Sequence, residues 1–205
     1  NNFLRRELTF NPEGILCGAK HVNIVGHYAY VSCDMGLVVI DIDDPLKPKI
    51  TSIIGEKAIK HPHMSAVQFR YCYVCDEEGV KILDCTDLAK PVPKAMMKLP
   101  EAHSIYLART HAYVAAKSKG LVILDITKAE EPKVDQVYNA GGHMNDVHDV
   151  KLGITYNSLI AYVADGKNGM RVVQLTSPET PNYEGFSPRP MPRLIATYRT
   201  PHGGE

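Results

Sequence analysis

The chain has 205 residues, with 23 basic and 23 acidic side chains and no net formal charge at pH 7 when its histidines are neutral. That balance lacks the basic footprint of a nucleic-acid binder or a polybasic membrane surface, and no apolar run reaches the roughly 18–20 residues of a membrane span. Nucleic acid is therefore set aside as a partner, and no membrane span is expected.

Five cysteines, an odd number at irregular spacing, do not describe a disulfide framework. Cys72 and Cys75 have C-x-x-C spacing, but they sit in the strand-like run CYVC, where side chains three apart point to opposite faces. They read as buried small residues rather than a redox or zinc pair. The chain contains no C-x-x-C-H, so no c-type haem is attached through that motif. The first residue is Asn with no basic-then-apolar leader before it, which leaves a removed signal or a start within a longer protein as the two readings.

Residues 1–15 precede the first repeat, and LRRELTF within them alternates as an outer strand would before Asn11-Pro12 breaks it. A unit then recurs four times. Each copy holds a Tyr-Val strand start (Tyr30, Tyr73, Tyr113, Tyr162), a polar turn ending in Gly (Gly36, Gly79, Gly120, Gly169) and an apolar run: LVVIDI, VKILDC, LVILDI, MRVVQL. The units span about 16–56, 59–99, 102–140 and 146–200, leaving 202–205 as a tail or the start of a next segment. The apolar runs are short, rich in Val, Ile and Tyr, and bounded by Gly or Pro, which argues strands rather than helices. Only AIKHPHMSA has room for a brief helical turn.

Four short strands per unit, at a period of forty-odd residues, predict an all-β propeller of four-stranded blades. Four blades could close a small ring; an open arc completed by further polypeptide is the alternative. The fourth unit departs from the pattern, with GITYNSLI lengthening its first hairpin and NYEGFSPRPMPR inserted before its last strand. Added loops of this kind are candidate partner contacts, with Tyr183, Phe186 and Arg189 as the side chains to watch.

The core AYV…GLVILDI…P resembles the LVIVD repeat, over roughly Ala19 to Thr200. That resemblance implies an exported β-propeller-like protein of bacteria or archaea, usually without assigned chemistry. The wording FLRRELTFNPEGILCGAKHVNIVG and AYVADGKNGMRVVQLTS…FSPRP also resembles the propeller part of long bacterial proteins that carry multihaem cytochrome c regions elsewhere. What this implies is a periplasmic or extracellular module in an electron-transfer system, with a protein partner or neighbouring cytochrome domain that holds its own haem.

Nine histidines are numerous for this length. His21, His63, His103 and His148 each stand at the start of the first strand of a unit, and a propeller's first strands line its channel. They are expected as a ring at one mouth, either pinning loops by hydrogen bonds or supplying a divalent-metal or haem contact. His61 and His143 flank that ring. His27 and His111 fall at the opposite hairpin end and read as solvated. Asp41, Asp84 and Asp125 recur with Gln174 in the fourth unit, which keeps the acceptor and discards the charge; they read as turn or inter-strand acceptors rather than bases. The leading expectation is a non-catalytic interaction or scaffold module, and the competing one a metal-dependent enzyme centred on the channel.

Overall fold

A computed structural model describes residues 5–181, 183 and 186–200. The described chain is all-β apart from two single 3-10 turns, at Pro12–Gly14 and Ala140–Gly142. Four antiparallel four-stranded sheets follow one another. The first contains β1 (His21–Val25), β2 (Tyr28–Cys33), β3 (Gly36–Asp41) and β4 (Lys49–Ile54). The second contains β5 (Met64–Gln68), β6 (Tyr71–Cys75), β7 (Gly79–Asp84) and β8 (Val92–Lys98). The third contains β9 (Ser104–Ala108), β10 (His111–Ala115), β11 (Leu121–Asp125) and β12 (Lys133–Tyr138). The fourth contains β13 (Asp149–Thr155), β14 (Ser158–Ala164), β15 (Met170–Thr176) and β16 (Arg193–Tyr198). Each sheet is a meander in chain order, the content of a propeller blade.

The innermost strands touch in series, β1 to β5, β5 to β9 and β9 to β13. Among the described residues β13 and β1 make no contact of that extent, so the sheets form an arc. Each blade has a leading face toward the blade before it and a trailing face toward the blade after it. Tyr30, Leu37 and Val39 of blade 1 meet Cys72, Val74 and Leu83 of blade 2. Tyr73, Val80 and Ile82 of blade 2 meet Ile105, Ala112, Val114, Val122 and Leu124 of blade 3. Tyr113, Leu121 and Ile123 of blade 3 meet Val150, Ala161, Val163, Val173 and Leu175 of blade 4. Three apolar interfaces thus replace a single central core, because the second and third strands of a blade alternate their apolar side chains between its two faces.

Cys72 lies in the first of these interfaces and Cys75 in the second, on opposite faces of β6. Both are buried free thiols, as are Cys33 and Cys85, while Cys17 is exposed. Burial pushes the Cys75 thiol up, with the neighbouring Asp76 acting in the same direction.

Two expectations about local structure are corrected. Residues 5–10 form no strand, and residues 1–4 lie outside the described residues; instead Phe10, Ile15 and Leu16 cover part of the leading face of blade 1 over Ala29, Val31, Val38 and Ile40. The Asn11-Pro12 step ends any extended run there, and Asn11 Oδ1 accepts from the Leu16 amide at 2.8 Å. The stretch AIKHPHMSA holds no helix. His61 takes a left-handed φ of 45° before Pro62, which has no amide hydrogen to extend a helix.

Candidate functional site

Two regions gather side chains with chemistry. The first is the mouth formed by the starts of the innermost strands. A depression of about 500 Å³ there is lined by Lys20, His21, His63, Met64, His103, Ser104, His148, Asp149 and Lys151. All four histidines singled out from the repeat thus reach one mouth.

They do not occupy one position, however. The amides of His63, His103 and His148 donate to the carbonyls of Cys75, Ala115 and Ala164, and in the first blade it is Lys20 that donates to the equivalent Ser32. His21 pairs with Ser32 in register, as Met64 pairs with Cys75, Ser104 with Ala115 and Asp149 with Ala164. The mouth therefore has an outer rung of Lys20, His63, His103 and His148 and an inner rung of His21, Met64, Ser104 and Asp149. Counting back from the Tyr-Val start hides this, because His21 is one residue closer to it than His63 and His103, and one residue on a strand is a change of face.

The rings pack against one another. His63 and His103 stack with centroids 4.6 Å apart, and His103 meets His148 edge-on at 5.4 Å. His103 Nδ1 donates to the His148 carbonyl at 3.0 Å, His148 Nε2 bonds Asp146 Oδ1 at 3.0 Å, and Ser104 Oγ bonds Asp149. Among the described residues no group of three or more His, Cys, Asp or Glu is placed to hold a metal ion. Of the two readings of His21, His63, His103 and His148, loop pins or a metal contact, the stacked ring faces and the hydrogen bonds of His103 and His148 favour the first. Burial lowers the pKa of His63 to about 4, with His103, Lys20 and Lys117 adding to the effect. Burial also lowers the pKa of His21 and of His103. Lys20 and Lys151 supply fixed positive charge at the mouth.

The second region is a cleft of about 310 Å³ at the opposite hairpin end, between blades 3 and 4. It is lined by Arg109, His111, Tyr113, Ile154, Tyr183 and Ser187, among others. The insertion of blade 4 folds back across blade 3 to wall it. Arg189 pairs with Asp135 at 2.8 Å, and Gln136 Nε2 donates to the Pro190 carbonyl at 2.6 Å. Thr110 and Ser187 hydroxyls meet at 2.6 Å, and the Tyr183 hydroxyl donates to the Asn157 carbonyl at 2.8 Å. Arg109 donates to the Phe186 carbonyl while its guanidinium lies 4.5 Å from the Phe186 ring centroid. Burial acts to raise the Asp135 carboxyl, but the hydrogen bonds from Arg189 and Gln136 outweigh it and hold the carboxyl below its usual range.

The polar groups of Tyr183 and Arg189 are thus spent within the chain, whereas the Phe186 ring stays 75% exposed. The insertion also corrects one reading: His111 is buried, not solvated, with Nδ1 3.1 Å from the Thr110 hydroxyl. The long-range fold-back of the insertion covers it, and no local pattern around HAYV signals that.

Asp41, Asp84 and Asp125 each accept the amide two residues on, from Asp43, Thr86 and Thr127, at 2.8–2.9 Å. These are Asx turns at the end of the third strand of a blade. Sequence reasoning missed a second acidic position. Asp76 and Asp165, both fully buried, pair with Lys81 at 3.6 Å and Arg171 at 2.9 Å. Asp76 also accepts from the Lys60, Glu78 and Gly79 amides, and Asp165 from the Asp146 amide. The signal was present as Asp after the Tyr-Val strand in alternate repeats.

Residues 18–54, 101–138 and 160–185 match the LVIVD repeat. No curated protein matches the chain. Among solved structures, a computationally designed protein, Ika8, is similar at a TM-score of 0.55 and 11% identity, over 80% of this chain and 50% of that one. AztD of Citrobacter koseri is similar at a TM-score of 0.47 and 16% identity, over 90% of this chain and 52% of that one. A chain of the S. cerevisiae Dbp5 complex with Nup159 and Gle1 gives 0.48 and 9%, over 77% and 44%. The chain spans about half the length of the structures it matches, and the Ika8 likeness shows the fold alone.

Proposed function

From a chain that carries LVIVD repeats, we propose a non-catalytic scaffold of an exported protein, in which the insertion of blade 4 is the surface that receives a protein partner. The observation that carries this reading is the way the insertion is held. An ion pair and several hydrogen bonds fasten residues 183 and 186–190 to blade 3 and to the first hairpin of blade 4. They leave Phe186 exposed at 75% beside a cleft rimmed by Ile154, itself 74% exposed, and Met191 exposed at 52% farther along the insertion. Apolar side chains held out on a fastened loop lose little conformational entropy on docking, the condition under which a loop makes a good anchor.

The partner in this reading is a haem-bearing cytochrome domain. Its support is the resemblance of residues 3–26 and 161–190 to the propeller region of multihaem cytochrome proteins; periplasmic or extracellular location goes with the same resemblance. The haem would belong to the partner, and this region's task would be to position it.

Calorimetric titration of the chain with a multihaem c-type cytochrome domain tests the reading. Saturable binding that weakens at least about tenfold on Phe186→Asp is expected, the loss of one buried aromatic anchor. Absence of binding, or an affinity indifferent to Phe186→Asp, would set it aside.

A further inference from the structure

The trailing face of blade 4 repeats, position by position, a face that is buried in the other three blades. Tyr30, Tyr73 and Tyr113 are 0%, 2% and 1% exposed, whereas Tyr162 in the same register is 41% exposed. Leu37, Val80 and Leu121 are fully buried, and their equivalent Met170 is 37% exposed. On the outermost strand Ile54 is 8% exposed where Tyr198 is 61% exposed. Tyr162, Met170 and Tyr198, with Val172 and Ala196 paired between them, form one apolar patch across three strands.

We propose that this patch seats a further four-stranded sheet of the same repeat, joined in series after blade 4. Continuity with the three observed interfaces identifies the occupant. In each, the Tyr-bearing face receives a small residue (Cys72, Ala112 or Ala161) and a Val from the next blade's second strand and branched aliphatics from its third, as in Ala112, Val114, Val122 and Leu124. Each receiving blade is also the next in the chain, its first strand following the preceding blade's last by a short connection, from Ile54 to Met64, Lys98 to Ser104 and Tyr138 to Asp149. A second copy is a poorer fit: the leading face of blade 1, the one it would offer, is covered by Phe10, Ile15 and Leu16. The patch lies on the opposite side of blade 4 from the cleft, so this inference does not depend on the partner reading above.

The test extends the full chain at its C-terminus by a copy of its own third blade, residues 101–140, and follows amide exchange in the appended segment. A lone four-stranded sheet with uncovered faces is not independently stable, so the appended strands should be protected only if they dock. Protection of at least about 100-fold over the unstructured rate is expected. Tyr162→Lys in the extended chain should abolish it, while the same substitution in the unextended chain shifts Tm by no more than about 2 °C, since the ring is half exposed there. An unprotected appended blade, or protection that survives Tyr162→Lys, would overturn the proposal. So would self-association of the unextended chain that Tyr162→Lys abolishes, because the patch would then belong to a second copy.

Discussion

The imidazoles of His63 and His103 stack at 4.6 Å with 22° between their planes, so that two successive blades meet ring to ring at the mouth of the arc. Neither ring can take a proton there without charging the other's neighbourhood, and burial opposes it further.

Acid should therefore loosen the mouth. The folded-state pKa of His63 is lowered to about 4, mainly by burial and then by His103, and His21 and His103 shift the same way. The unfolded chain binds these protons more readily, so the histidines' contribution to stability is fully present above about pH 6.5 and is lost as pH falls toward 4. Because the His63 ring is partly open to solvent, the loss it causes should be on the order of 1 kcal/mol. Urea unfolding at pH 7 and pH 4.5 measures it, and His63→Gln should flatten the difference.

The pair Asp76–Lys81 should be costly to break from one side. Asp76 is fully buried and accepts from three backbone amides besides facing Lys81. Asp76→Ala leaves three amide donors without their acceptor, while Lys81 keeps its pairing with Glu78, so a loss of about 2–4 kcal/mol is expected. Denaturant midpoints should show it, with Lys81→Met milder because Asp76 keeps its amide donors.

Gly36 has φ of 110°, and a Cβ there would lie 2.2 Å from the Ile54 carbonyl oxygen. Gly36→Ala must therefore move backbone of β4, and a destabilisation above about 2 kcal/mol is expected. Gly141→Ala is the control, since a Cβ there meets nothing within 4 Å; its left-handed φ alone should cost about 1 kcal/mol. Thermal unfolding of the two variants separates clash from conformational strain.

Arg189→Ala should release the insertion without unfolding the blades. The pair with Asp135 is exposed on the arginine side, at 70%, so its contribution to global stability is at most about 1 kcal/mol. Limited proteolysis should nevertheless cleave within residues 177–192 several-fold faster, while the melting temperature stays nearly unchanged.

The blades were legible in the sequence because each turn residue and each apolar run repeats its role, and strand alternation makes a face predictable from a register. The same logic failed by one residue at His21: a histidine next to the equivalent Lys20 is counted into the ring by type, although the backbone hydrogen bond from Lys20 to Ser32 sets the register. The burial of His111 and the fastening of Tyr183 and Arg189 were not legible, since they depend on contacts between residues more than twenty positions apart that no local pattern encodes. Asp76 and Asp165 lay between these cases. Their repetition was readable, but their ion pairs with Lys81 and Arg171 needed the fold.

The most direct measurement of the central claim is hydrogen exchange of the full chain, mapped residue by residue with and without a saturating multihaem c-type cytochrome domain. The account predicts slowed exchange at Arg109, Thr110, Phe186, Ser187 and Arg189, the fastened insertion and its support on blade 3. Exchange unchanged there, or slowed only around Lys20, His63, His103 and His148 at the other end of the blades, would contradict it.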